Sequence, residues 1–252
     1  MNLLQKSVIA ACACTAFTPG AYAEKFFGDS SVSLLYSDDY EIFGSEQESA
    51  TVFTFENATG HNWGDTFLFV DRYQVQGGSD SADDTYGEFA PRLSLSWLTG
   101  QPLSFGPVSD VFVATQYEFG GGVDANNYLY GLGLSWDVPG MQYFNTNAYY
   151  VSNNTIFDAE DDWQLTVTWG APFNVGSARF VFDGYVDYAA GVSGGQSADL
   201  HINPQFKLDL GHFMGESGVL LAGIEYSYWR NKYGSPNIDT ENAVSALVKF
   251  HF

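Results

Sequence analysis

Residues 242–252, which end the chain, read Asn-Ala-Val-Ser-Ala-Leu-Val-Lys-Phe-His-Phe. Every second residue from Val244 to Phe252 is apolar, and most of the residues between them are polar. A period of two over about ten residues is typical of a β-strand that has lipid on one face and water on the other. The stretch therefore predicts a membrane-embedded strand rather than an amphipathic helix.

The other end of the chain carries the features of a secretory signal peptide. Lys6, an apolar run over 8–17 and the small-residue stretch 21–23 predict cleavage after Ala23. This assigns residues 1–23 to the signal peptide and 24–252 to one β-barrel domain. Residues 9–12 also resemble a lipoprotein box, but the apolar run before them is shorter than the roughly 7–15 residues that a signal needs. The terminal Phe252 resembles the assembly signal of outer-membrane barrels.

Composition supports the same class of protein. Both cysteines, Cys12 and Cys14, lie in the predicted signal, so the mature chain has no disulfide. Charged residues make up 15% of the chain, below the roughly one quarter of soluble proteins. The 16 Tyr, 21 Phe and 6 Trp residues fit the aromatic girdles of a transmembrane barrel. The net charge of −21 argues against nucleic-acid binding.

Alternating segments separated by turn residues recur along the chain and predict an all-β, transmembrane antiparallel β-barrel of about twelve strands. No stretch reaches the ~18–20 apolar residues of a membrane helix. The predicted strands lie near 29–37, 50–58, 65–74, 86–97, 109–119, 127–137, 142–152, 162–171, 177–189, 199–210, 218–230 and 242–252. The facing of the third and fifth segments stays open.

An even strand number places both termini at one end, which we expect to be periplasmic. The odd-numbered connections are then predicted to be the longer, acidic outer loops, and the even ones mostly shorter. Acids expected in the outer loops are Asp38, Asp39, Glu41, Glu46, Glu48, Asp80, Asp83, Asp84, Asp158, Glu160, Asp161 and Asp162. They are either solvated loop residues or ligands for divalent cations shared with lipopolysaccharide phosphates.

Charged residues within the strands are expected to face the barrel interior, because a lipid-facing Arg or Lys costs roughly 2–4 kcal/mol near the midplane. Such side chains either form ion pairs that fill the barrel or line a water-filled pore, and twelve strands leave both options open. The strand charges with inward parity are Arg92, Arg179, Lys207, Lys249, Glu56, Glu88, Asp183, Asp187, Asp209 and Glu225.

One block of sequence carries a family resemblance. Residues 88–95 read Glu-Phe-Ala-Pro-Arg-Leu-Ser-Leu, followed by Leu-Thr-Gly at 98–100 and Leu-Ser-Phe-Gly-Pro at 103–107. Together with residues 55–57 and 63–65, this block resembles the Tsx-like family of outer-membrane proteins, which includes the OmpK proteins. The block covers a strand, a turn and the next strand, so it concerns architecture rather than selectivity.

This resemblance implies a monomeric twelve-stranded channel in the bacterial outer membrane. Nucleosides would diffuse through a narrow, aromatic-lined pore, and phages can use such proteins as receptors. A base needs aromatic faces for stacking, and a ribose needs hydrogen-bonding groups. By strand parity, the candidate pore-lining residues are Asn145, Asn147, Tyr149, Arg179, Tyr185, His201, Asn203, Gln205, Glu225 and Trp229. The alternative for the aromatic members is an interface girdle or packing beneath a loop.

Two other functions compete with the channel. One is a non-selective or poorly conducting barrel with a structural or surface-receptor role, which saturable block of conductance by a solute would distinguish. The other is an outer-membrane enzyme such as a lipase or acyltransferase, for which only His201, with Ser193 and Ser197 nearby in sequence, lies near the predicted outer rim. No His, Cys or Asp cluster has metal-ligand spacing, so we expect no cofactor, no metal and no enzymatic activity.

Overall fold

Twelve antiparallel strands close into a barrel in this computed structural model, which describes residues 23–41, 47–76, 83–122, 124–155, 160–193 and 195–252. Neighbours in sequence are neighbours in the sheet, and the first strand pairs with the last. The strands are β1 (Lys25–Glu41), β2 (Gln47–His61), β3 (Gly64–Val75), β4 (Asp84–Ser94), β5 (Val108–Gly120), β6 (Ala125–Trp136), β7 (Tyr143–Ser152), β8 (Asp162–Val175), β9 (Ala178–Ala189), β10 (Asp199–Asp209), β11 (Leu220–Arg230) and β12 (Glu241–His251). The predicted barrel is confirmed, and each predicted segment overlaps one strand.

Both ends of the barrel domain lie on the same side. Ser31 of β1 is paired with His251 of β12, and the Phe252 amide donates to the Ser30 carbonyl. We call this side the termini end and the opposite side the loop end. The predicted signal peptide lies, except for Ala23, outside the described residues.

The two faces of the sheet follow the alternation of the sequence. In β12, residues 241, 243, 245, 247 and 249 are buried, and the residues between them are exposed. The strand register carries this parity around the barrel, so that buried polar side chains point inward and most of the large exposed apolar strand side chains point outward. A belt of aromatic rings in contact crosses β5 to β8 on the outward face near the loop end: Tyr117, Tyr128, Tyr130, Tyr150 and Trp163.

The first strand extends beyond its prediction. Asp38, Asp39 and Glu41 were expected in an outer loop, but they lie in β1, which continues to pair with β2 up to Glu41. A register irregularity between Ser37 and Tyr40 accommodates the extra residues, as a β-bulge does. Three further acids of the predicted loops are strand residues, namely Glu48, Asp84 and Asp162. Glu46, Asp80 and Asp158 lie outside the described residues.

Two of the even connections, those after β4 and β10, are longer than the others because a short helix lies in each. Helix α1 (Leu95–Thr99) is capped by Ser94, and α2 (Leu210–Met214) is capped by Asp209, whose side chain accepts from the His212 amide. Asp209, predicted as an interior strand charge, is therefore a helix cap at the termini end. No helix in the described ranges is long and apolar enough to cross a membrane.

The outward face gives a direct test of membrane embedding. Leu132 of β6 is 59% exposed and lies midway between Tyr128 and Trp136 on the same face. We expect Leu132→Arg to lower the free energy of unfolding in lipid vesicles by about 2–4 kcal/mol, because an arginine at mid-depth lacks water. Asn126→Arg, on the same face at the loop end, should cost only about 0–1 kcal/mol. Equal losses in urea titrations of the two variants would contradict this assignment of the lipid face.

Candidate functional site

The termini-end half of the barrel interior is organised around Arg92 of β4. Its guanidinium forms a two-pronged ion pair with Asp65 of β3, with Nε–Oδ1 at 2.8 Å and Nη2–Oδ2 at 2.6 Å. It also donates to Asn145 at 3.2 Å and to Asn147 at 3.4 Å, both on β7, and lies 4.4 Å from the centre of the Phe112 ring. One cation thus joins strands β3 to β7 through charge-assisted hydrogen bonds.

Two lysines organise the opposite side of the interior. Lys249 of β12 is ion-paired with Glu56 of β2, across the closure of the sheet. Lys207 of β10 donates to Asp183 at 2.8 Å and to Gln205 at 2.6 Å, and Gln205 donates onward to Glu225 at 2.7 Å. Polar side chains are therefore connected from strand to strand, as buried polar groups require.

A turn at the loop end folds into the barrel. Residues Lys232–Gly234 form a short turn after β11, in which Asn231 and Tyr233 both lie in the left-handed region, at φ 52° and 59°. Lys232 Nζ lies 2.6 Å from Glu241 Oε2 and 4.7 Å from the centre of the Trp229 ring. Burial disfavours the ammonium, but Tyr233 and Glu241 outweigh that effect and raise the pKa of Lys232. The turn is thereby fixed by a cation inside the mouth of the barrel.

Three candidate residues predicted from the sequence meet below this turn. The rings of His201 and Trp229 are stacked, with centroids 4.2 Å apart and an interplanar angle of 4°. The Tyr185 ring meets His201 edge-on at 5.1 Å, and its hydroxyl lies 3.3 Å from Nδ1. His201 and Lys232 both lie against the Trp229 ring and cover it. The inward-facing rings of this group that are left to line the lumen are those of Tyr185 and His201.

The other candidates have different surroundings. Asn145 and Asn147 are bound to Arg92, and Gln205 is bound to Glu225. Asn203 of β10 faces inward and is paired with Tyr185 on the neighbouring strand β9. Tyr149 also faces inward but is only 1% exposed, because it packs with Ala114, Leu129 and Val151. Arg179 lies at the exposed rim of the termini end, apart from the rest.

An aromatic ladder on β3 and β4 was missed by the sequence analysis. The Phe67 and Phe69 rings are 6.1 Å apart, and the Phe69 and Tyr86 rings are 5.9 Å apart. These residues share strand parity with Asp65, which pairs with the interior Arg92, so they point into the barrel. We call this surface, completed by Glu88, which accepts from the Tyr86 hydroxyl at 2.7 Å, the β3–β4 wall.

The β3–β4 wall lies across the lumen from Tyr185 of β9 and His201 of β10, because these strand pairs are half a turn apart in the order of the twelve strands. We call this second surface the β9–β10 wall. The two walls thus face each other across the barrel interior, and both carry aromatic rings and hydrogen-bonding groups.

The surroundings of His201 differ from those of a catalytic histidine. Its Nε2 lies 3.1 Å from Ser227 Oγ, and this hydroxyl donates to Glu241 at 2.5 Å. In a nucleophile–histidine–acid relay, the histidine lies between the other two groups, whereas here Ser227 occupies the middle position. The arrangement fixes the His201 ring in the wall between Tyr185 and Ser227.

Comparisons with known proteins agree with this architecture. Residues 31–246 match the family model described as "Nucleoside-specific channel-forming protein, Tsx". The chain is 30% identical to the outer membrane protein OmpK of Vibrio parahaemolyticus over 186 residues, which cover 69% of this chain and 67% of that protein. It is 26% identical to the Tsx protein of Klebsiella aerogenes over 212 residues, which cover 70% of this chain and 72% of that protein.

Solved structures confirm the fold. A KdgM porin superposes with a TM-score of 0.51 at 11% identity, covering 88% of this chain and 99% of the porin. Outer membrane phospholipase A from Escherichia coli gives 0.52 at 11% identity, with 97% of both chains covered. Because barrels of such different activities fit equally well, these similarities concern the fold alone. The family match extends over most of the barrel, and the chain belongs to the Tsx family of outer-membrane, nucleoside-specific channel-forming proteins.

Proposed function

We propose that nucleosides diffuse across the outer membrane through this barrel and that they pass between the β3–β4 and β9–β10 walls. The observation that carries the proposal is the placement of Phe69 and Tyr86 across the lumen from Tyr185 and His201. Solutes that present a flat ring are matched by such a passage, and a sugar finds hydrogen-bonding groups beside it.

The chemistry of a nucleoside fits the two walls in different ways. Base–aromatic stacking contributes roughly 1–3 kcal/mol per base and tolerates any base. Glu88 and Asn203 are placed to bind hydroxyl groups of the ribose. A channel must also release its solute, so each contact has to be modest. Rings at the sides of a passage, rather than a closed pocket, meet that requirement.

Other expectations from the sequence stay predictions. They are cleavage after Ala23, a monomeric state, contact of the loop end with lipopolysaccharide and use of the loops by phages. The competing closed-barrel function differs from the channel in one measurable property, which is conductance that falls saturably as nucleoside is added.

The test is single-channel conductance of the refolded protein in a planar bilayer, titrated with adenosine and thymidine. We expect saturable block, and we expect Phe69→Ala to raise the half-blocking concentration by about 5- to 150-fold, which corresponds to the loss of one stacking contact. Phe89→Ala is the matched control, because Phe89 is on the neighbouring strand but faces outward.

Each result has a distinct meaning. Conductance that is indifferent to nucleosides, or an equal effect of Phe69→Ala and Phe89→Ala, would contradict the proposed passage. A correctly folded barrel that conducts no ions would favour the structural or receptor function.

A further inference from the structure

The interior of the barrel carries carboxylates that have no cationic partner. Each of the four buried cations is already ion-paired: Arg92 with Asp65, Lys207 with Asp183, Lys232 with Glu241 and Lys249 with Glu56. No ion pair among the described residues reaches five further inward-facing acids. These are Asp71 of β3, Glu88 of β4, Glu118 of β5, Asp187 of β9 and Glu225 of β11, which we call the acidic girdle.

Neutral donors hold the girdle in place. Thr54 donates to Asp71 at 2.6 Å, Asn127 to Glu118 at 3.0 Å and Thr166 to Asp187. Such hydrogen bonds fix the position of a carboxylate without cancelling its charge. Each ionised member of the girdle therefore adds a negative charge that no cation of the protein offsets, and low-dielectric walls concentrate the field of that charge along the lumen.

Two features show that carboxylates of the barrel interior lack a compensating positive charge or donor within the protein. Glu88 and Glu118 are directly paired across adjacent strands, an arrangement in which like charges destabilise a sheet. At the loop end, Asp162 is 7% exposed, and one of its carboxylate oxygens has no hydrogen-bond partner in the described structure. Cations that enter the lumen from solution would relieve both features.

The girdle spans the lumen rather than one patch of wall. Glu88 lies on β4 and Asp187 on β9, on opposite sides of the barrel. No group of three or more His, Cys, Asp and Glu side chains in the described ranges is arranged to hold a metal ion. The five acids lie on five different strands around the barrel, like the rings of acidic side chains that select cations in other channels.

We propose that the acidic girdle makes this channel selective for small cations over anions. This inference shares one requirement with the proposed function, which is an open lumen. It concerns the passage of ions and does not depend on whether nucleosides bind. Ions that pass between the two walls meet uncompensated carboxylates, so potassium is enriched and chloride is repelled.

The test is the reversal potential of the refolded protein in a planar bilayer under a potassium chloride gradient, with no nucleoside present. We expect potassium to permeate better than chloride in the wild type. In a Glu88→Gln/Asp187→Asn variant the permeability ratio should fall by about threefold or more, because two unit charges are removed a few ångströms from the ion. Both substitutions keep the hydrogen-bond acceptors of Tyr86 and Thr166.

Asp124→Asn/Glu160→Gln is the matched control, because it removes the same charge from exposed positions outside the strands. Its permeability ratio should stay that of the wild type. A conducting wild type that prefers chloride or shows no preference, or a girdle variant with an unchanged ratio, would overturn the inference while leaving the nucleoside channel in place. A folded barrel that conducts no ions would overturn the proposed function and this inference together.

Discussion

An Arg92→Met variant is expected to lose about 3–5 kcal/mol of unfolding free energy, because it leaves a partner charge unpaired in the barrel interior. The Arg92 side chain is 9% exposed and that of Asp65 is 34% exposed. Methionine fills a similar volume but cannot donate to Asp65, Asn145 or Asn147. Since the partial exposure of Asp65 lets water solvate its carboxylate, the loss should fall near the lower end of this range.

Arg72→Met is the matched control for this measurement. Arg72 of β3 forms an ion pair of similar length with Asp83, at 2.9 Å, but its side chain is largely solvent-accessible. Exposed ion pairs contribute about 0–1 kcal/mol, so urea titration of the two variants should separate them clearly. Removing both charges in Arg92→Met/Asp65→Leu should recover part of the loss. Equal stability of the two single variants would mean that Arg92 does not organise the interior.

Strand parity predicted the inner wall wherever a segment alternates cleanly. Tyr185, His201, Asn203, Gln205 and Glu225 were all assigned inward, and the register places them there. The third segment was left open because residues 66–70 are mostly apolar on both faces. Asp65 and Asp71, which share parity with Phe67 and Phe69, were a usable signal, since charged strand residues must avoid lipid.

The remaining features depend on contacts that a single sequence does not reveal. Arg92 and Asn147 are separated by 55 residues, so nothing local indicates that they meet. The end helices do have local signals, namely Ser94 and Asp209 as N-caps and Gly100 and Gly215 in the left-handed region. The inward turn after β11 has none, because it depends on Glu241, which lies on the next strand.

A Lys232→Met variant is expected to open the loop end of the barrel. The ion pair between Lys232 and Glu241 holds the turn after β11 inward, and the position of this turn sets the width of the mouth. The side chains of Lys232 and Glu241 are 7% and 3% exposed. Removal of the ammonium leaves Glu241 with hydrogen bonds from Ser227 Oγ and the Glu41 amide but no cation. A buried charge without its partner costs about 3–5 kcal/mol. Because the turn is at the barrel end, it should yield locally rather than unfold the whole barrel.

The expected result is a higher single-channel conductance and faster proteolysis within residues 231–240. Lys25→Met is the matched control, because Lys25 is exposed at the termini end, and it should leave both properties unchanged. The raised pKa of Lys232 means that its stabilising contribution is present below a pH of about 10.4 and is lost only as the pH rises above that value. Adding Glu241→Gln to Lys232→Met should restore the closed turn, since no buried charge then remains. If conductance and proteolysis are the same in Lys232→Met and the wild type, the ion pair does not set the width of the mouth. Two other hydrogen bonds then suffice to hold the turn: the Ser197 amide donates to the Gly234 carbonyl, and the Asn231 side chain donates to the Ala198 carbonyl.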